Sequence, residues 1–212
     1  LGAMASKPVM EGKAVLFKKF ANIDCFDIEV NESDPEKLAE IVCALEPTFG
    51  AINLEDIKAP DCFIVEQLCR EKMNIPVFHD DQHGTAVVTL AALENSLKIV
   101  GKKMADLRVV IAGAGAAGVA IAKMLITAGA TNIIATDTKG AIHKGRTDLN
   151  EVKQRFAEIT NPEGISGSLG DVLPGADVFI GVSAPDLLDA DDLRKTATDP
   201  IVFAMSNPNP EI

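Results

Sequence analysis

An α/β fold with a doubly wound parallel sheet is what this 212-residue chain predicts, and three observations carry the prediction. Short β-branched runs alternate with amphipathic stretches along the chain, the order that lays helices over parallel strands. The second half repeats the pattern cleanly, starting from the buried-strand run LRVVIA at Leu107. That run leads into Gly113-Ala-Gly115-Ala-Ala-Gly118, which opens a helical stretch. A glycine-rich strand-to-helix turn of this kind marks a doubly wound sheet.

In order, Val15 to Phe20 is apolar-rich and reads as helix. CFDIEV sets Phe26, Ile28 and Val30 on one side, the period of a strand. Ser33-Asp34-Pro35-Glu36 reads as a helix start, with an N-cap candidate, proline in the first turn and acid at the positive dipole end. That helix runs to about Leu45 and stops near Pro47 and Gly50. AINLEDI is a short strand, APDCFIVEQLCREKMN a helix with Phe63, Leu68 and Met73 inward, and IPVFHDD the next strand. From Gly84 a long apolar helix runs until Gly101 ends it.

In the second half, AAGVAIAKMLITAG is a helix ending at Gly129. NIIATD, VFIGVS and IVFAMS are strands, with helical stretches near Val152–Thr160 and Ala190–Ala197. The charged segment KKMAD places the division between residues 1–103, a smaller α/β domain, and residues 104–212, a Rossmann-like domain.

The bulk numbers narrow the function. Apolar residues make up 47% of the chain, enough for a packed core, and the net charge of −11 argues against a phosphate-backbone binder. No apolar run reaches the roughly 18 residues of a membrane span, and LGAMASKPVM has no signal-peptide layout, so a cytoplasmic setting is expected. Cys25, Cys43, Cys62 and Cys69 form no CxxC pair and read as free thiols.

The glycine turn has a specific physical logic. Gly113 allows the tight turn, Gly115 lets backbone approach a pyrophosphate, and Gly118 lets the helix pack on the sheet. With Ala114, Ala116 and Ala117 these glycines form the phosphate cradle at a helix N-terminus. Asp137 ends the next strand, where a carboxylate can accept both ribose hydroxyls, which favours NAD. Lys139, two residues on, could meet a 2′-phosphate, so NADP stays open. Val182 and Ser183 in GVSAP and Asn207 in SNP follow two later strands and complete the cofactor crevice, although each segment alone reads as an ordinary turn.

In the first half two acidic pairs end two strands: Glu55-Asp56 and Asp80-Asp81. Hard oxygen donors in this number suit Mg²⁺ or Mn²⁺. The rival reading is solvated acids capping the helices that follow. His79 and His83 flank the second pair, and a zinc reading is weaker because the segment is taken as a strand end. Lys7 and Lys13 lie in SKPVMEGK, where a lysine near a metal could have a lowered pKa and act as a base. Ordinary surface lysines are the alternative.

Together, KPVMEGK, INLEDI, FHDDQHGT, GAGAAG, TDTKGAI, VFIGVSAP and VFAMSNPNPEI, in that order, resemble the bacterial-type malic enzymes over essentially the whole chain. The resemblance implies metal-dependent oxidation of L-malate and its decarboxylation to pyruvate and CO₂ with NAD or NADP, by a homodimer; the charge and the lack of an apolar span lead us to expect no nucleic-acid or membrane partner. It places the metal ligands on Glu55, Asp56 and Asp81. It assigns the catalytic base to Lys13, its partner to Asp80, substrate binding to Lys13 and Asn207, and cofactor contacts to the GAGAAG glycines and Asp137. Residues 1–103 then become the metal and substrate domain, and 104–212 the dinucleotide domain.

The family's proton-donating tyrosine has no counterpart, because the chain contains no tyrosine. A substrate arginine before KPVMEGK and a later asparagine segment are also without counterpart. The expectation is therefore a central fragment lacking both ends, with very low malate turnover on its own. Two further readings remain: another NAD(P)-dependent dehydrogenase, such as an amino-acid dehydrogenase, and a non-catalytic dinucleotide-binding module.

Overall fold

The computed structural model describes residues 2–212. The chain forms two compact units. One ends at Asp81 and the other spans Gln82–Ile212, so the division falls some twenty residues before the 103/104 boundary drawn from the charged KKMAD segment.

The first unit contains α1 (Ala3–Ala21), α2 (Pro35–Ala44), β1 (Ile52–Leu54), α3 (Asp61–Lys72) and β2 (Val77–His79). α2 starts where proline and acid predict, and Asp34 rather than Ser33 is the cap: its carboxylate accepts from the N–H groups of Glu36 and Lys37. β1 and β2 pair in parallel, Ile52 opposite Val77 and Leu54 opposite His79. α2 and α3 bury Ala39, Val42, Val65 and Cys69 with Leu54, Met73 and Val77.

Two expectations fail here. CFDIEV is not a strand: residues 22–34 are irregular, with Phe26 70% exposed. Alternation makes a strand only where another edge is available to pair, and this segment is instead tied to α1 by Lys7, whose Nζ lies 2.6 Å from Asp27 and 3.3 Å from Glu29. α3 turns Cys62, Val65, Glu66 and Cys69 most fully inward, with Leu68 partly buried against the same core and Met73 buried beyond the helix end, while Phe63 stays outside that cluster. Cys69 supplies a small contact against α2, its Sγ lying 3.8 Å from the Ala39 carbonyl oxygen.

α4 (Asp80–Val100) also starts earlier than Gly84. Asp80 and Asp81 form its first turn, where the positive end of the helix dipole favours carboxylates. The acidic pair therefore belongs to a helix N-terminus, with His79 ending β2 just before it and His83 inside the first turn of α4.

The second unit holds β3 (Arg108–Ala112), α5 (Ala116–Thr127), β4 (Asn132–Asp137), β5 (Gly140–Ala141), α6 (Glu151–Ile159), α7 (Leu169–Val172), β6 (Val178–Gly181), α8 (Ala190–Leu193) and β7 (Ile201–Ala204). The order is β5-β4-β3-β6-β7, parallel except for the two-residue edge strand β5. After β3 the chain winds outward to β4, then returns to the other side of β3 to form β6. That reversal creates a crevice at the carboxyl ends of β3 and β6, where such sheets bind ligands. β3, β4 and β6 are apolar and buried on both faces, with Val110, Ile134 and Phe179 in one cluster. The stretch expected to be helical to Ala197 makes only the single turn of α8.

Asn161 locks the return from α6. It is 4% exposed, has a left-handed φ of 49°, and its side chain bonds the carbonyls of Ile142 and Ile165 and the N–H of Ile165 at 3.0, 2.7 and 2.9 Å. Asn161→Ala should lower unfolding free energy by about 2–4 kcal/mol, because buried carbonyls lose their donors and alanine is strained in that conformation. Asn161→Gly should recover only about 1 kcal/mol of this, since it relieves the backbone but not the lost bonds. Urea midpoints of the three proteins would check both figures.

Candidate active site and dinucleotide crevice

In the first unit the β1–β2 register sets the site. With Leu54 opposite His79, the next residues, Glu55 and Asp80, leave neighbouring strand ends side by side. α1 brings Lys13 to both: its Nζ lies 2.6 Å from Asp80 Oδ2 and 3.0 Å from Glu55 Oε2. The Glu55 side chain is only 8% exposed, so this ammonium is its principal charge partner. Burial lowers the Lys13 pKa, but the hydrogen bonds to Asp80 and Glu55 outweigh it, and the net shift is upward. The expected downward shift is therefore reversed for a lysine flanked by two carboxylates.

Asn53, two residues before Glu55 on β1, donates from Nδ2 to Glu55 Oε2 at 3.1 Å. Its Oδ1 is buried with no hydrogen-bond donor. Asp56 is exposed, in a left-handed backbone conformation with φ 59°. Asp81 lies 3.7 Å from His79 Nε2. His79 is fully buried, and its N–H donates to the buried Glu66 at 3.2 Å. Lys7 belongs to the separate Asp27–Glu29 contact and takes no part in this centre.

Among the described residues no three carboxylate, imidazole or thiolate side chains gather as a ready metal cage. The donor chemistry nonetheless fits a hard divalent cation. Carboxylates leave two paired strands together, and the Asn53 Oδ1 oxygen beside Glu55 lacks any donor.

In the second unit each glycine of the turn has a spatial cause. Gly113 has φ 120°, and a Cβ there would lie 2.8 Å from the Val182 carbonyl oxygen. A Cβ on Gly118 would lie 2.0 Å from the Gly113 carbonyl oxygen. Gly115 has open space around it and caps α5 without any side-chain bond to the helix N–H groups. Ala114, Ala116 and Ala117 add no polar group that would compete for them.

Asp137 ends β4 as expected, and two cations already hold it. Arg146 bonds both its oxygens, Nη1 to Oδ1 at 2.8 Å and Nη2 to Oδ2 at 3.3 Å, and Lys153 Nζ reaches Oδ2 at 2.6 Å. Burial raises the Asp137 carboxyl, but the two cations overcome this and hold it at about 2. Lys139 turns its ammonium to Asp148 at 2.9 Å, and its backbone N–H donates to Asp137.

Val182 follows β6, its N–H donating to Ala112 O at 2.9 Å, so it sits against the glycine turn. Ser183 and Asn207 are exposed in the loops after β6 and β7. Asn53, Arg146, Lys153 and Glu211 escape sequence reasoning. Glu211 lies inside the quoted motif NPNPEI, but nothing in its spacing shows that it folds back to β6.

A glycine turn at a sheet switch point, with a lysine–carboxylate centre in the preceding unit, defines a dinucleotide-binding α/β protein with an acidic site. Comparison with known proteins gives the family. Residues 1–70 match the malic enzyme N-terminal domain and residues 82–212 the malic enzyme NAD binding domain. The chain belongs to the malic enzyme family.

It is 57% identical over its whole length to the NAD-dependent malic enzyme of Geobacillus stearothermophilus, of which it spans 44%. It is 55% identical to the bifunctional malic/malolactic enzyme of Bacillus subtilis, of which it spans 52%. The NADP-dependent malic enzyme of Haemophilus influenzae is also 55% identical, with 28% of that protein covered. The crystal structure of the NAD-dependent malic enzyme from Thermotoga maritima superposes with a TM-score of 0.97 at 51% identity, covering the whole chain and 57% of that structure. The chain thus spans about half the length, or less, of these relatives. No helix among the described residues is long and apolar enough to cross a membrane.

Proposed function

We propose that this chain carries the chemical centre for NAD(P)-dependent oxidative decarboxylation of L-malate to pyruvate and CO₂. The observation that carries the reading is Lys13 held between Glu55 and Asp80. Lys13 Nζ would accept the 2-hydroxyl proton of malate as hydride leaves the same carbon, which gives the 2-keto acid. Loss as CO₂ of the carboxylate on carbon 3, β to the new keto group, then leaves the enolate of pyruvate, which is protonated at carbon 3. Bound NAD(P) supplies the hydride acceptor, and a bound divalent ion supplies a Lewis acid.

Glu55, Asp56 and Asp81 would hold Mg²⁺ or Mn²⁺. Asp80 would orient Lys13, and Asn207 would meet the substrate. The raised pKa of Lys13 bears directly on this. Lys13 would become a base once Glu55, one of the two acids that hold its proton, turned to the cation, leaving Asp80 to orient it.

Relatives named for NAD and for NADP are almost equally similar, and the Arg146–Asp137–Lys153 cluster suits either cofactor. The four free thiols fit a reducing cytoplasmic setting. Met4, Leu16, Phe20 and Phe26, exposed by 50–91%, support self-association into a homodimer.

Thermal unfolding with Mn²⁺ tests the metal half. At roughly 100 times Kd the stabilisation should be about 2.7 kcal/mol, a rise of several degrees. Asp81→Ala should abolish the shift without lowering the melting temperature of the metal-free protein by more than a few degrees. No shift with either Mn²⁺ or Mg²⁺ would overturn the reading in favour of a metal-independent module.

A further inference from the structure

Glu211 is a fully buried acid whose charge is met by backbone N–H groups and not by a cation. Its Oε1 accepts from Ser183 N at 3.0 Å, in the loop after β6, and its Oε2 accepts from Ser206 N at 3.1 Å, in the loop after β7. Its own carbonyl accepts from Leu187 N at 2.7 Å and Leu188 N at 3.0 Å. The carboxylate lies on the bare Cα of Gly181, the last residue of β6. Any Cβ there would come within 2.2 Å of Glu211 Cδ. One side chain thus joins two loops that are 23 residues apart in sequence.

The sheet order says what those loops do. The adenosine end of a dinucleotide belongs over β4, where Asp137 sits, and the phosphates belong at the glycine turn after β3. The other half must extend the opposite way, over the carboxyl ends of β6 and β7. We propose that Glu211 is a positioning residue of this crevice, tying the β6 and β7 loops together so that their backbone is preset for the nicotinamide half. The proposal rests on the dinucleotide reading of the crevice.

A carboxylate is the side chain this task requires. It is acceptor-only and offers two oxygens to two N–H donors. An amide would turn an NH₂ group toward one of those donors. The buried charge is tolerated because both oxygens are bonded, as charge-assisted hydrogen bonds allow.

Glu211→Gln and Glu211→Ala test it in the 212-residue chain. Binding would be read with NADH by nucleotide fluorescence, unobscured because the chain has no Trp or Tyr, and with 5′-AMP by calorimetry. NADH affinity should fall about tenfold or more while 5′-AMP changes less than about twofold. Amide hydrogen exchange should show Ser183 and Ser206 losing protection together, with Val109–Ile111 unchanged.

Three results would overturn the assignment: NADH affinity unchanged in both variants, both serine amides still protected, or NADH and 5′-AMP weakened equally with protection lost in β3 as well. The last marks Glu211 as a fold residue only. If the unsubstituted chain binds neither nucleotide, the dinucleotide reading itself fails, while the exchange data still decide whether Glu211 clamps the loops.

Discussion

Lys13→Met is expected to reduce by about 10²–10⁴-fold whatever malate-dependent NAD(P)H formation the chain supports, the usual contribution of a positioned general base. If Lys13 acts on the reacting hydroxyl as proposed, the effect should fall on kcat, and nucleotide binding by the second unit should be unchanged. Lys13→Arg separates the two roles of this side chain. A guanidinium can still bridge Glu55 and Asp80, but it does not deprotonate near neutrality. Arginine should therefore keep the melting temperature and lose the activity, whereas methionine should lose both. Initial rates and melting curves of the two variants check this. An arginine variant with near-normal kcat would remove Lys13 from the chemistry.

The second large effect is expected at Asp137. On the proposed dinucleotide reading its carboxylate would accept the ribose hydroxyls and disfavour a 2′-phosphate, an effect that Arg146 and Lys153 would partly offset. Asp137→Ala leaves Arg146 and Lys153 in place, with Arg146 still anchored 2.8 Å from Asp148. The ratio of kcat/KM for NADP over NAD should rise about 10–100-fold, or about 1.4–2.8 kcal/mol in favour of the extra phosphate. Binding of 2′,5′-ADP against 5′-AMP gives the same ratio without turnover. An unchanged ratio would mean that the cations serve the fold alone.

The same carboxylate sets an acid signature. Its folded-state pKa of about 2 lies below the ordinary value near 4. Its stabilising contribution is therefore complete above that ordinary value and is lost as pH falls through about 2. The melting-temperature gap between the parent chain and Asp137→Asn should be widest above pH 4 and close progressively below it.

Much of the second unit was legible because its local and global requirements coincide. Gly113 and Gly118 stand where backbone comes within 3 Å of the place a side chain would begin, so the motif follows from geometry. β3, β4 and β6 are apolar because both faces are covered. The first unit was harder. CFDIEV has a strand's period but no edge to pair with, and Asp80-Asp81 continue a strand in sequence while starting a helix in space.

Site residues followed the same rule. Glu55, Asp80 and Lys13 were identifiable from their motifs, and the structure brings these three together. Asp56 and Asp81 lie in the same unit without completing a cage. Arg146, Lys153 and Glu211 act through partners 9, 16 and 28 residues away. No periodicity reports a pairing of that kind.

The bridge at Lys13 also bears on how the acidic centre holds together in the absence of any added ion. A basin of unneutralised acids would swell or recruit whatever ion the buffer offered. Here α1 brings one ammonium to two carboxylates, so the pair Glu55–Asp80 is partly offset by the chain itself whether or not an ion is present.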